Sequence, residues 1–388
     1  MSNKKVCIVT GTRAEYGLLS VLAKKIKNDS YLDLQIVCTG SHLSSEFGST
    51  KNEILKDGFK INFEINLNLG TSDSEHATCL AISNAFKGFS SAYLKLKPDI
   101  IIVLGDRYEL LAASYAATVH RIPICHIHGG ESTSAVIDEA TRHSITKMAH
   151  IHLVANKSYR NRVIQLGENP SKVFIVGGMG VDVIKNTKLL EKKQLENFFN
   201  LKFNKKNFLI IFHPTTLERN TSKEQFKKIL SSIKNFKNTN FYFSQSNADP
   251  GGKIISKLAK DFVKGNKHRS VFFKSLGQRK FLSLLKISDV LIGNSSCGLL
   301  EAPYLKKPVV NIGDRQKNRL VSSNILSCQA IKSDIVKAIS KSITQKFKKN
   351  LKKIKSAYGY GGASEKSLKI IKKLSYKNIL IKNFYDLK

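Results

Sequence analysis

Short aliphatic runs recur along the first half of this chain, each followed by small residues and then by a stretch of helical period. The clearest is Asp99–Leu104 (DIIIVL), apolar at every position after the first. A strand wetted on one face alternates apolar with polar residues. An unbroken apolar run instead calls for burial on both faces, the condition of a strand inside a parallel sheet sandwiched by helices. Around it, Lys5–Thr10, Leu34–Thr39, Phe59–Ile65, Ile122–Ile127, His152–Ala155 and Val173–Val176 read as strands. Leu18–Lys27, Ser44–Asp57, Thr78–Leu96, Leu110–His120, Asp138–Ala149 and Lys157–Leu166 read as helices, with Gly58 and Lys97-Pro98 as stops. This alternation predicts an α/β fold of doubly wound parallel sheets with right-handed crossovers.

Strands recur in the second half at Phe208–Phe212, Asn240–Ser244, Val271–Phe273, Val290–Ile292 and Val309–Ile312. At roughly 150 residues per domain, a chain of 388 residues has room for two. The glycine-rich Gly177–Gly180 reads as the crossing, followed by the basic, polar Lys185–Lys206. The expected domains are Rossmann-like units at 1–177 and 178–362, with a helix and tail at 363–388 in which Ser364–Leu374 is amphipathic.

Composition narrows the function classes. Net charge is +35, but only 11 of the 64 basic residues are Arg, and the lysines thicken towards the C-terminus on what read as solvated helix faces. Little aromatic interleaving accompanies them, so a nucleic-acid role is not expected, although the charge would help attract an anionic substrate. No apolar run reaches the roughly 18 residues of a membrane span. The N-terminus enters a strand without the apolar stretch of a secretion signal, and the six cysteines form no CxxC pair. A cytoplasmic protein with reduced thiols is expected.

Ligands of such sheets bind beyond the carboxyl ends of the strands. Arg13, Asp106, His128, His213 and Ser295 all fall there. In GTRAEYG (Gly11–Gly17), Arg13 can pair with phosphate through its fork of donors; an ordinary turn with a surface Arg is the plainer alternative. In GDRYE (Gly105–Glu109), Asp106 can act as a base or an orienting group, or simply cap the next helix. The densest cluster is HIHGGE (His126–Glu131) followed by DEATRH (Asp138–His143), with Glu131, Asp138 and Arg142. Acids sharing a pocket split their pKa values, giving an acid and a base at one pH. H-I-H would put both rings on one face of an extended segment, but no third ligand at a familiar spacing supports a metal site. His213 ends a core strand in FHPTT. In GNSSCGLLEAP (Gly293–Pro303), Ser295, Ser296 and free backbone N–H groups suit a diphosphate, and Glu301 suits ribose hydroxyls. Arg315 and Arg319 lie near the same edge.

GTRAEYGLL, GDRYE, HIHGGE, DEATRHSITKMAHIH, RVIQLGE, FHPTT, GNSSCGLLEAP and NIGDRQKNR together resemble the hydrolysing UDP-N-acetylglucosamine 2-epimerases of nonulosonic (sialic) acid biosynthesis, over about residues 5 to 320. The resemblance implies a GT-B-type fold: two Rossmann-like domains facing a cleft, and a C-terminal helix returning to the first. It implies release of UDP with inversion at C2, by anti elimination to 2-acetamidoglucal and then water addition, with no redox cofactor and no metal. By motif, Arg13, His213, Ser295, Ser296 and Arg319 would hold the diphosphate, Glu301 the ribose, and Phe281 would lie against uracil. Asp106, Glu131 and Asp138 would share the proton work, with His128 beside them and Arg142 in support. Many relatives carry Glu where this chain has His128; the non-hydrolysing ones carry Lys where it has Leu18. The family implies a homodimer. The alternatives are the same reaction on UDP-2,4-diacetamido-2,4,6-trideoxyglucose of the legionaminic acid route, a GT-B glycosyltransferase, and an anion-binding protein resting on charge alone.

Overall fold

Every strand of the first sheet runs parallel to its neighbours, and their side chains alternate between two apolar clusters. The strands are β1 (Lys4–Thr10), β2 (Leu32–Thr39), β3 (Phe63–Ile65), β4 (Ile100–Leu104), β5 (Ile124–Ile127), β6 (Ile151–Val154) and β7 (Val173–Ile175), in the order β3-β2-β1-β4-β5-β6-β7. Val6, Ile8, Ile100 and Ile102 enter one cluster with the helix Arg13–Lys27. Cys7, Val9, Ile101 and Val103 enter the other with the helices Glu75–Leu96 and Tyr108–Val119. Both faces are therefore covered, as the unbroken run at Ile100–Leu104 requires.

The computed structural model describes residues 3–70, 74–134, 136–215, 221–376 and 378–387. It divides into two units. The first comprises Met1–Glu131, Ile137–Asn186 and Tyr358–Lys388; the second comprises Ser132–Val136 and Thr187–Ala357. The helix Ala363–Lys373 belongs to the first unit and adds Ala363 and Ile371 to the cluster that holds Val6 and Ile8. Asp182 fixes its start: the carboxylate accepts the Gly362 N–H at 2.5 Å and the Ser364 N–H at 2.6 Å. A carboxylate there satisfies donors that have no partner within the helix and meets the positive end of its dipole.

The second unit repeats the topology. Strands β8 (Lys206–Ile211), β9 (Thr239–Ser244), β10 (Ser270–Phe273), β11 (Val290–Gly293), β12 (Val309–Ile312) and β13 (Ile325–Cys328) pair in parallel in the order β10-β9-β8-β11-β12-β13. Its core is rich in phenylalanine, including Phe208, Phe226, Phe241 and Phe243. Each such ring stabilises the fold by about 1.5–3 kcal/mol when fully buried.

Several elements depart from the sequence expectation. The helix at Ser44–Asp57 breaks into the 3-10 turn Ser45–Phe47 and the helix Lys51–Lys56, because Gly48 and Ser49 take left-handed conformations (φ 92° and 46°). The strand at Phe59–Ile65 shortens to β3. Gly177–Gly180 leads into the helix Met179–Asn186, still within the first unit. The basic stretch at Lys185–Lys206 holds the helix Lys192–Phe199, started by a reciprocal cap between Glu191 and Gln194. Strand β13 has no counterpart in the sequence expectation; among the described residues it pairs with β12 alone and is only partly buried, so it shows no apolar run. Among the described residues, no helix is long and apolar enough to cross a membrane.

Candidate functional site

In each sheet the strand order reverses once at an inner pair, and Arg13, Asp106, His213 and Ser295 follow the strands of those two pairs, whereas His128 and Glu131 follow β5, one strand further along. At each reversal neighbouring crossovers leave in opposite directions, so a crevice opens at the carboxyl ends of the strands. In the first unit the pair is β1 and β4, in the second β8 and β11.

Strand β1 ends at Thr10, and Gly11 and Thr12 turn the chain into the helix that Arg13 opens. Thr12 caps this helix, its hydroxyl accepting the Glu15 N–H at 3.3 Å. Glu15 reaches back and accepts the Gly11 N–H at 2.8 Å. Its other carboxyl oxygen, Oε1, is buried without a hydrogen-bond partner among the described residues. Burial, and then the negative charge of Glu109, push the Glu15 carboxyl up to about 8. The turn that presents Arg13 thus rests on a buried, protonated Glu. The sequence signal lies in the T-x-x-E spacing of a capping box, but neither Glu15 nor Glu109 stands out from it as a site residue.

A pH dependence follows. Unfolded, Glu15 ionises near 4.5; folded, it holds its proton to about 8. Its contribution to stability is complete below 4.5 and is lost as the pH rises towards 8. His42 and His126, lowered by burial to about 4 and about 3, act oppositely: they cost stability as the pH falls below their ordinary 6.5. Between pH 6.5 and 8 only the Glu15 effect operates among these three. Thermal midpoints of the wild type should fall across that window, and Glu15→Gln should flatten the fall. Parallel curves would contradict the assignment.

Arg142 is the hub of the acidic cluster. It is fully buried in the helix Asp138–Met148. Its Nε donates to Asp106 Oδ2 at 2.9 Å, and its Nη2 donates to the same oxygen. Its Nη1 donates to the backbone carbonyl of Glu131 at 3.1 Å and to Glu139 Oε2 at 2.6 Å. One guanidinium therefore ties the loop after β4 to the loop after β5. Asp138 opens the same helix and is buried. Glu139, which sequence reasoning passes over, is the carboxylate one turn before Arg142 that this hub engages.

The two histidines of HIHGGE take different positions, correcting the expectation of two rings on one face. Strand β5 ends at Ile127, and His128 turns to a φ of 66°. His126 bonds the Gly105 carbonyl through Nε2 at 2.8 Å and the Thr146 hydroxyl through Nδ1 at 3.1 Å. Burial keeps it neutral, so it is a clasp beneath the loop that carries Asp106. His128 instead meets Glu131, Nδ1 to Oε1, at 3.1 Å.

In the second unit, Asn294 joins the ends of β8 and β11. Its Oδ1 accepts the His213 N–H and its Nδ2 donates to the His213 carbonyl, both at 2.8 Å. Its own carbonyl accepts from Gln316 Nε2 at 2.8 Å and from Arg315 Nη1 at 3.3 Å, and Arg319 Nη1 reaches Gln316 Oε1 at 3.2 Å. His213 and Arg315 are thereby joined through Asn294, with Arg319 linked to it through Gln316; local patterning does not single out Asn294. Gly293 permits this crossing: its φ is 138°, and a Cβ there would lie 1.8 Å from the Ile211 carbonyl oxygen. Ser295 and Ser296 follow, half-buried, and lead into the short helix Cys297–Leu300, with Glu301 buried just after it. Phe281 is buried in the helix Gly277–Ile287. Thr216 of the FHPTT motif lies outside the described residues.

A family model described as UDP-N-acetylglucosamine 2-epimerase matches residues 24–372. The GDP/UDP-N,N'-diacetylbacillosamine 2-epimerase (hydrolyzing) of Campylobacter jejuni is 42% identical over 388 residues, 100% of both chains. Polysialic acid biosynthesis protein P7 of Escherichia coli is 38% identical, with 99% of this chain and 98% of that protein covered. Among solved structures, the UDP-GlcNAc 2-epimerase from Neisseria meningitidis, bound to UDP-GlcNAc, matches with a TM-score of 0.78 at 20% identity over 95% of this chain and 100% of that one. At that identity the likeness is one of fold, two Rossmann-like units of the GT-B type.

Proposed function

Because the chain belongs to the UDP-N-acetylglucosamine 2-epimerase family and is a hydrolysing UDP-sugar 2-epimerase, we propose that its substrate is UDP-N,N'-diacetylbacillosamine, the 2,4-diacetamido-2,4,6-trideoxyglucose nucleotide, and that its product feeds nonulosonic acid synthesis. The Arg142 hub, which ties the Asp106 and Glu131 loops together, is the observation that carries the catalytic half of this proposal. The sugar is inferred from the relative that is 42% identical over both full lengths.

The chemistry runs in two steps. A carboxylate removes the C2 proton, the C1–O bond breaks, and UDP leaves with that electron pair, giving a 2-acetamidoglucal. A proton then adds to C2 from the opposite face while water adds its hydroxyl to C1. The sugar is released as its C2 epimer. One water is consumed and no oxidation state changes overall, so no redox cofactor is part of the proposal. Asp106, Glu131 and Asp138 share the two proton transfers, and Arg142 orients them. Arg13, His213, Ser295, Ser296 and Arg319 take the diphosphate, Glu301 the ribose and Phe281 the uracil. Backbone N–H groups and arginines suit the charge that grows on the departing UDP.

UDP-N-acetylglucosamine is the second candidate, favoured by the family's own description and by the polysialic acid relative. Proton NMR in deuterated water separates the two. The expected result is UDP release with deuterium at C2 of the freed sugar, faster with the diacetamido nucleotide. Faster turnover of UDP-N-acetylglucosamine would reverse the order, and silence with both would end the proposal. Arg13→Ala should weaken UDP binding by roughly 1.5–3 kcal/mol, the usual contribution of hydrogen bonds to a charged group. Calorimetry showing unchanged affinity would remove Arg13 from the diphosphate site.

A further inference from the structure

His128 follows β5 in the HIHGGE loop, and its surroundings say what the ring does there. It is 5% exposed, and its two nitrogens face different kinds of partner. The Met179 backbone N–H approaches Nε2 at 3.4 Å, and Glu131 Oε1 lies 3.1 Å from Nδ1. A backbone amide can only donate. Nε2 must therefore present its lone pair, and the proton of the neutral ring sits on Nδ1, from which it is donated to Glu131.

Tyr358, the first residue of the chain's last return to this unit, braces that arrangement. Its ring is 1% exposed and lies nearly parallel to the imidazole, at 13° and 6.3 Å between centroids. Its hydroxyl bonds the Tyr159 hydroxyl at 3.1 Å. Its carbonyl accepts the Gly178 N–H at 2.8 Å, which fixes the turn that delivers Met179 N–H to Nε2. Gly178 allows the approach, since a Cβ there would lie 2.8 Å from the Tyr358 Cβ.

We infer that His128 is a positioning residue rather than the proton carrier: held as the Nδ1–H tautomer by the Met179 amide and the Tyr358 ring, it donates to Glu131 and fixes that carboxylate for its work at C2. The inference rests on the proposed role of Glu131.

Two substitutions at 128 separate the nitrogens. H128N places an amide N–H near the position of Nδ1, and Asn also tolerates the left-handed backbone found there. H128Q places its amide near the position of Nε2. Expected is kcat within about tenfold of wild type for H128N, the scale of one weakened hydrogen bond, and a loss of about a hundredfold or more for H128Q, the scale of a misplaced acid–base group. UDP affinity should be unchanged in both. H128N as inactive as H128Q would overturn the inference and make His128 the proton carrier.

An independent readout needs no substrate. Proton–nitrogen NMR of the histidine-labelled enzyme, with His128 assigned by its loss in H128N, should show a protonated Nδ1 and a bare Nε2. The opposite tautomer would overturn the inference without touching the proposed reaction. Conversely, a wild type inert to both sugar nucleotides would end the proposed reaction and leave the tautomer result standing. Y358F should keep both tautomer and turnover. Y358A should mix the tautomers and lower kcat with KM unchanged; an unaltered Y358A spectrum would remove Tyr358 from the assembly.

Discussion

Asp106→Asn should reduce turnover by about 10²–10⁴-fold, the range supplied by a positioned acid or base. UDP affinity should change little, because Asp106 follows β4 in the first unit, whereas most of the proposed diphosphate residues lie in the second. The substitution keeps the shape of the side chain and removes the charge that faces Arg142 Nε and Nη2. Both bonds go to one Asp106 oxygen, which the amide oxygen of Asn can replace, so the fold should persist while the proton chemistry stops. Turnover and UDP calorimetry on the same preparation decide the matter. Collapsed UDP affinity with substantial residual turnover would show that Asp106 belongs to nucleotide binding instead.

Arg142→Met should be the most damaging single change to stability. The guanidinium is fully buried and donates to Asp106, to Glu139 and to the Glu131 carbonyl. Removing one partner of a buried charged network costs about 3–5 kcal/mol, because the remaining groups keep their desolvation penalty without the attraction. Asp106 and Glu139 retain 21% and 32% side-chain exposure, so water screens part of the loss and the lower end applies. A cost of about 3 kcal/mol corresponds to a thermal midpoint lower by roughly 6–12 °C for a domain of this size. Arg142→Lys keeps the charge but not the planar fork, and should recover stability better than turnover. An unchanged midpoint for Arg142→Met would mean that the network contributes no net stability.

The legible parts of this molecule are those written in local periodicity. Ile100–Leu104 announces a strand buried on both faces, and each strand end that carries Arg13, Asp106, His128, His213 or Ser295 can be read from a run that stops at small or polar residues. What local patterning cannot supply is partnership across the chain. Asn294 gains its importance from His213, 81 positions away. Tyr358 acts on His128 across most of the chain, and Glu15 acquires its proton because it is buried with Glu109 beside it. The half-buried β13 escapes for the opposite reason, since an edge strand needs no apolar run. Neither does periodicity separate the two histidines of HIHGGE, because the left-handed turn at His128 is a property of the fold around it.

The first unit is assembled from three separate stretches of chain, and the last of them contributes Ala363 and Ile371 to its core. Synthesis therefore runs against the usual order of domain formation, in which the N-terminal part finishes first. The long stretch Thr187–Ala357 of the second unit emerges complete while the apolar side of the helix Arg13–Lys27 still waits for its cover. Leu19, Leu22 and Ile26 share that cluster with Ala363 and Ile371, so it is completed only when the stretch from Tyr358 onward has been made. A chain cut before Tyr358 would therefore lack part of the first unit's core and not merely a tail.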